Sequence, residues 1–112
     1  MTFPRIQGAD ICGEIVAVGD RINPARIGER VITDNWLRDP ADPLDKERTG
    51  YYGSEHDGGF AEYATIPATN ALAVDSPLSD AELATFSCSY STAESMLTRA
   101  AVTAGDTVLV PG

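Results

Sequence analysis

Residues 11–18 (ICGEIVAV) mix β-branched with small side chains up to Gly19-Asp20, the pattern of a strand running into a turn. Residues 29–33 (ERVIT) read as a second short strand, opened by Gly28, whose tolerance of positive φ suits the turn before it. Residues 34–59 then become polar and rich in Pro and Gly, with Trp36, Leu37, Leu44 and the Tyr51-Tyr52 pair as apolar anchors. Connections longer than about 12–15 residues are uncommon in compact domains, so this excursion is expected to be a lid or a lobe. Residues 60–66 alternate as a strand, 67–70 turn, and 71–74 give another short strand before Asp75-Ser76-Pro77.

After Pro77 the period changes. Ser79 and Glu82 have the S-x-x-E spacing in which two side chains reciprocally satisfy free N–H groups at a helix start. Ser91 and Glu94 repeat it ahead of Met96, Leu97 and Ala100, one apolar face at helical intervals, so two successive helices are predicted. Residues 107–110 (TVLV) resemble a strand buried on both faces, which needs neighbours that this chain does not contain. The fold class is therefore mainly β with C-terminal helices, an α+β arrangement.

Composition narrows the function classes. Eight basic against seventeen acidic residues give a formal charge of −9, which disfavours nucleic acid and anionic lipid surfaces. No apolar stretch approaches the roughly 20 residues that span a bilayer, and residues 1–10 lack the basic start and apolar core of a signal peptide. Two cysteines, Cys12 and Cys88, are too few for a disulfide framework and belong to no CxxC pair. A reducing, cytoplasmic setting is expected.

Five motifs then occur in order. Gly8-Ala9-Asp10-Ile11-Cys12-Gly13-Glu14-Ile15-Val16-Ala17-Val18-Gly19 resembles the G-x-[ED]-x-x-G-x-[VI]-x-x-V-G signature of the medium-chain dehydrogenase/reductase superfamily. Gly28-Glu29-Arg30-Val31 resembles its G-[DE]-[RK]-V turn, and Gly58-Gly59-Phe60-Ala61-Glu62-Tyr63 its G-[GT]-[FY]-A-[ED]-Y. Leu78 to Ala84 with Cys88 to Ala93 is similar to its L-[ST]-x-x-x-A-A…C-x-x-[ST]-T-A segment, and Gly105-Asp106-Thr107-Val108-Leu109-Val110 to its G-[ED]-x-V-L-V approach to the dinucleotide-binding sheet. The resemblance implies a GroES-like, partly open β-barrel over residues 1–78, with the long loop at 34–59. Residues 79–112 would be a helical connection and the first strand of a Rossmann domain, of which Gly112 is the first phosphate-loop glycine. On this reading the chain is truncated before that domain, and the active site lies in the cleft between the two parts.

The resemblance also nominates site residues. Zinc-dependent members hold catalytic zinc through a G-H-E histidine and two cysteines; here Ala9 stands at the histidine and Cys88 at the later cysteine. The lobe at 34–59 has none of the four cysteines of their structural site, so no metal is expected. Cys88 alternatively reads as a small buried hydrophobe at a helix start. Thr92 matches a threonine that faces the nicotinamide ring, or else serves as a helix cap. Asp10 falls where the family's cleft carboxylate lies, or else holds the start of a strand. Trp36, Tyr51 and Tyr52 line a substrate pocket or anchor the long loop. His56 and the charged run at 39–48 read as solvated. No catalytic residue is assigned.

These features imply the substrate-domain fragment of an NAD(P)H-dependent, zinc-independent oxidoreductase, similar to quinone and enone reductases, acting on a small molecule. NADP or NAD would belong to the full-length parent and neither to this chain alone, which is expected to be inactive. The alternatives are a zinc alcohol dehydrogenase relative with a rearranged site, or a stand-alone, non-catalytic β-barrel interaction module. Unpaired strand edges predict self-association.

Overall fold

In a computed structural model, which describes residues 3–42, 45 and 49–111, the chain builds two small antiparallel sheets followed by a helical segment. Strands β1 (Cys12–Glu14), β2 (Arg30–Thr33) and β5 (Ala71–Ala73) form the larger sheet in the order β1-β2-β5. Its register sets Gly13 opposite Val31 and Val31 opposite Ala73. The ladder continues beyond the strand ends, where Ile15 N–H donates to the Glu29 carbonyl at 3.0 Å and Val74 N–H to the Arg30 carbonyl at 2.9 Å.

The two-residue period of β2 assigns its faces. Val31 and Thr33 are buried toward the barrel interior, with Ala71 beside them. Arg30 and Ile32 point the other way and carry the helical segment. The Arg30 guanidinium reaches Asp80 at 2.7 Å and the carbonyls of Ser76 and Leu78 at 2.9 and 2.7 Å, clamping the connection to the sheet. Arg26 does the same for the opposite edge, donating to the Ala68 and Ala71 carbonyls.

The excursion at 34–59 is a lobe closed by its own two-stranded ribbon, β3 (Trp36–Leu37) paired with β4 (Gly50–Tyr51). Asn70 fastens its base through donations to the Asp34 and Trp36 carbonyls at 2.9 and 3.1 Å. Leu44 and part of the charged run at 39–48 lie outside the described residues.

Three expectations are corrected. Residues 60–66 carry no strand pairing among the described residues, and Phe60 and Tyr63 are exposed. Residues 61 to 66 all border the space that Val31, Thr33 and Ala71 line, with no alternation of faces, and a ladder also needs a neighbouring strand. Residues 107–110 form no strand either, and Leu109 is 88% exposed for the same reason. The two helices are one continuous run: α1 (Asp80–Ala84), a π turn (Phe86–Tyr90) and α2 (Ser91–Arg99). Ser79 and Glu82 form the predicted capping box at its start. No Gly or Pro interrupts residues 80–99, so Ser91 has no free helix end to cap. Its hydroxyl instead donates to the Ser87 and Cys88 carbonyls at 2.8 and 3.1 Å. Among the described residues no helix is long and apolar enough to cross a membrane.

Candidate functional site

A cleft of ≈ 460 Å³ opens between the lobe and the helical run. One wall is the segment carrying Gly8 and Ala9, a second is the ribbon and the following turn with Tyr51 and Tyr52, and the third is the helical run with Cys88 and Thr92. The first two walls, distant in sequence, meet because glycines let their backbones touch. Gly58 and Gly59 donate to the Ile6 and Gly8 carbonyls at 2.8 Å each, and Gly53, with φ 76°, packs its α-carbon against Gly8.

The π turn positions the helical wall. Wound one residue looser than an α-helix, it shifts the register of the side chains that follow, a distortion common at functional sites. Ser87, buried at its second position, donates to the Ile11 carbonyl at 3.4 Å and ties the turn to the strand after Ala9. Cys88 and Thr92, four apart on one helical face, then both border the cleft.

The structure brings Tyr51, Tyr52, Cys88 and Thr92 together around Ala9. Cys88 is exposed, which corrects its reading as a buried hydrophobe. Thr92 is the second residue of α2, whose N-cap is Tyr90 in a helical conformation, so Thr92 is no cap. Its hydroxyl makes no hydrogen bond among the described residues. Trp36 borders a neighbouring groove, which Tyr51 and Thr92 share. Its ring stacks on Tyr51, centroids 6.2 Å apart, and the Arg38 guanidinium lies 4.1 Å above it. Asp10 is exposed and lies outside the lining of both cavities. His56 is an exposed turn residue whose carbonyl accepts from Gly53 N–H.

The sequence reading passed over Asn35. It is buried at 8% exposure and borders both the cleft and the groove. The signal was present: Val31, Thr33 and Asn35 continue one two-residue period, so an amide follows two inward-facing residues. Tyr52 is buried deeper still, with a hydroxyl that has no partner among the described residues. Burial pushes its pKa up to about 12, with the nearby Asp34 carboxylate adding to the rise. The phenol is therefore a neutral donor at physiological pH.

The donor set does not fit a zinc ion. Ala9 offers no ligand, and among the described residues Cys88 is the only Cys, His, Asp or Glu bordering the cleft. Among the described residues no three such side chains converge to hold a metal.

Residues 1–76 match the alcohol dehydrogenase GroES-like domain family, and the chain belongs to that family. It is 31% identical over 118 residues to L-galactonate-5-dehydrogenase of Escherichia coli K12, covering 99% of this chain and 34% of that protein. A solved protein of Sinorhizobium meliloti 1021, assigned as an alcohol dehydrogenase, superposes with a TM-score of 0.81 at 51% identity, over 95% of this chain and 29% of that one. An alcohol dehydrogenase of E. coli CFT073, solved with NADH, superposes with a TM-score of 0.69 at 31% identity, over 77% of this chain and 28% of that one. The chain thus spans about a third of the length of these relatives.

Proposed function

We propose that this chain supplies the substrate-side wall of the active-site cleft in an NAD(P)H-dependent oxidoreductase that works without catalytic zinc. The carrying observation is the cleft itself, where Thr92 and Cys88 face an alanine at the position of the family's zinc-binding histidine. When bound, the nicotinamide supplies the hydride, and the substrate carbon that receives it belongs to a quinone, an enone or another polarised carbonyl. Thr92 offers an unpartnered hydroxyl on the helical wall to the carboxamide edge of the ring. Tyr51, stacked on Trp36, gives the reacting group a flat apolar surface. The NADH bound by the E. coli CFT073 relative supports the cofactor.

A second reading, an alcohol dehydrogenase with a rearranged site, draws on the 51% identity to the S. meliloti protein. The two separate on metal and substrate. Full protein stripped with a chelator and free of zinc by elemental analysis should retain NADH or NADPH oxidation with cyclohexenone or a small quinone. Loss of turnover on chelation, restored by zinc, would favour the second reading.

A further inference from the structure

We infer that Arg30 is a positioning residue for the cleft: from outside the site, its guanidinium holds the helical wall that carries Cys88 and Thr92 against the wall that carries Ala9. The inference rests on the reading of this cleft as a hydride-transfer site and goes beyond it by naming what sets the spacing of its walls. Arg30 borders neither the cleft nor the neighbouring groove, so it acts only through what it holds. Its grip is dense. Nε donates to the Asp80 carboxylate at 2.7 Å, Nη1 to the Ser76 carbonyl at 2.9 Å and Nη2 to the Leu78 carbonyl at 2.7 Å. From Cys88 onward every described residue is exposed, which places the hold on the helical run upstream, at Arg30, the buried Leu83 and Ser87. The other polar ties between run and sheet among the described residues are weak ones. The Cys12 thiol lies 3.7 Å from Asp80, and the Ser87 hydroxyl donates to the Ile11 carbonyl at 3.4 Å.

A guanidinium presents its N–H donors in a rigid planar fork, so it meets a carboxylate and two carbonyls at once, which the single point of a lysine ammonium cannot. Arg30 and Ile32 share one face of β2, and Ile32 borders the groove together with Phe86 and Thr92. The run therefore lies along that face, pinned at its start by Arg30, with Cys88 and Thr92 further on. Without the pin the wall shifts against Ala9, and a misplacement of about 1 Å costs up to about 10²-fold in rate. Arg26 is the natural contrast. It also reaches three acceptors, the Glu29 carboxylate and the Ala68 and Ala71 carbonyls, but none of them belongs to the helical run.

The test compares Arg30→Met, Arg30→Lys, Asp80→Asn and Arg26→Met at a temperature where circular dichroism shows each folded. In the full protein, with NADH or NADPH and cyclohexenone or a small quinone, Arg30→Met should lower kcat about tenfold or more and keep KM within about threefold. Arg30→Lys should recover part of that loss, and Asp80→Asn, which leaves the two carbonyl bonds, should fall between. Arg26→Met should lower the urea midpoint and leave kcat unchanged. A second readout needs no turnover. Trp36 is the only tryptophan of the 112-residue chain and borders the groove that Phe86, Tyr90 and Thr92 also border. Its emission should shift to the red and its quenching by acrylamide should rise in Arg30→Met and not in Arg26→Met. Unchanged kcat and unchanged quenching in Arg30→Met would overturn the inference, as would Arg26→Met reproducing both effects, which would make them general loosening. If the native protein binds no nicotinamide and reduces neither probe, the oxidoreductase reading fails, and Trp36 quenching still decides this one. Should Arg30→Met not fold, Arg30→Lys and Asp80→Asn decide by the same two readouts.

Discussion

The backbone nitrogen of Gly59 donates to the carbonyl of Gly8 at 2.8 Å, joining two motif segments distant in sequence and bringing Ala9 to face the lobe. A Cβ built at Gly53 would stand 2.6 Å from the Gly8 nitrogen, so the contact admits no side chain. The glycine-rich motifs are the hinge pins of the cleft as well as turn formers.

Gly53→Ala should therefore cost about 2–4 kcal/mol, combining a left-handed backbone with a steric clash. Gly28→Ala is the control, since its φ is 88° but nothing lies within 4 Å of the added carbon, and it should cost only about 1–2 kcal/mol. Urea denaturation of both variants measures the gap. Equal losses would mean that the close approach of Gly53 to Gly8 contributes nothing.

Much of this was legible from the residues. The motif order gave the family, the Ser79…Glu82 spacing gave the helix start, and the Tyr51, Cys88 and Thr92 positions converge on one cleft. What failed did so for a physical reason. Alternation at 60–66 and the apolar run at 107–110 report a side-chain preference, whereas a strand also requires a partner ladder, which local sequence does not encode. The π turn was hidden because S-x-x-E at Ser91 looks the same whether or not the helix has already begun. Asn35 was missed by treating residue 34 as the start of a loop, when the inward period of β2 extends two residues further.

The capping box makes the helix start sensitive to acid. The Glu82 pKa is lowered from 4.5, first by the Ser79 hydroxyl and then by the Ser79 backbone N–H, which donate to its carboxylate at 2.7 and 2.9 Å. With the folded pKa below the unfolded one, the unfolded chain binds more protons in that window, so stability rises with pH there. The contribution is present above 4.5 and lost as pH falls through the lowered folded value. Circular dichroism melts should show this acid step in the native chain and a smaller one in Glu82→Ala. An identical acid profile in the two would exclude the box as its source.

The two cysteines should differ in reactivity. Burial raises the Cys12 pKa above 9.0, with the Asp80 carboxylate adding to the rise, and its Sγ lies 3.7 Å from that carboxylate. Cys88 is exposed. Since the thiolate is the nucleophile, iodoacetamide at neutral pH should label Cys88 well before Cys12, as read by peptide mass mapping. Occupation of the cleft by substrate should slow Cys88 alone. Labelling at equal rates would contradict the placement of the two thiols.

Leu109 and Val110 are 88% and 81% exposed, next to Val108 at 49%. Contiguous exposed apolar residues in extended backbone favour association. The 112-residue chain should sediment above its monomer mass at high concentration, and Leu109→Lys with Val110→Lys should return it to monomer. A monodisperse native monomer would show that this run is not adhesive.

Thr92 offers the sharpest separation of function from stability. It lies inside a continuous helical run, behind an N-cap at Tyr90 that makes no side-chain cap bond, and its hydroxyl has no partner among the described residues. Thr92→Val keeps the shape and the helix propensity, so it should change stability by less than about 0.5 kcal/mol. A true cap would instead lose about 1 kcal/mol. Thr92 borders the cleft, and on the proposed reading loss of its hydroxyl in the full protein should lower kcat/KM about tenfold. Thr92→Ser, which keeps the hydroxyl, should recover most of that loss. Thermal melts and initial rates on the same preparations decide it, and a destabilised variant with undiminished turnover would sink the cleft role of Thr92.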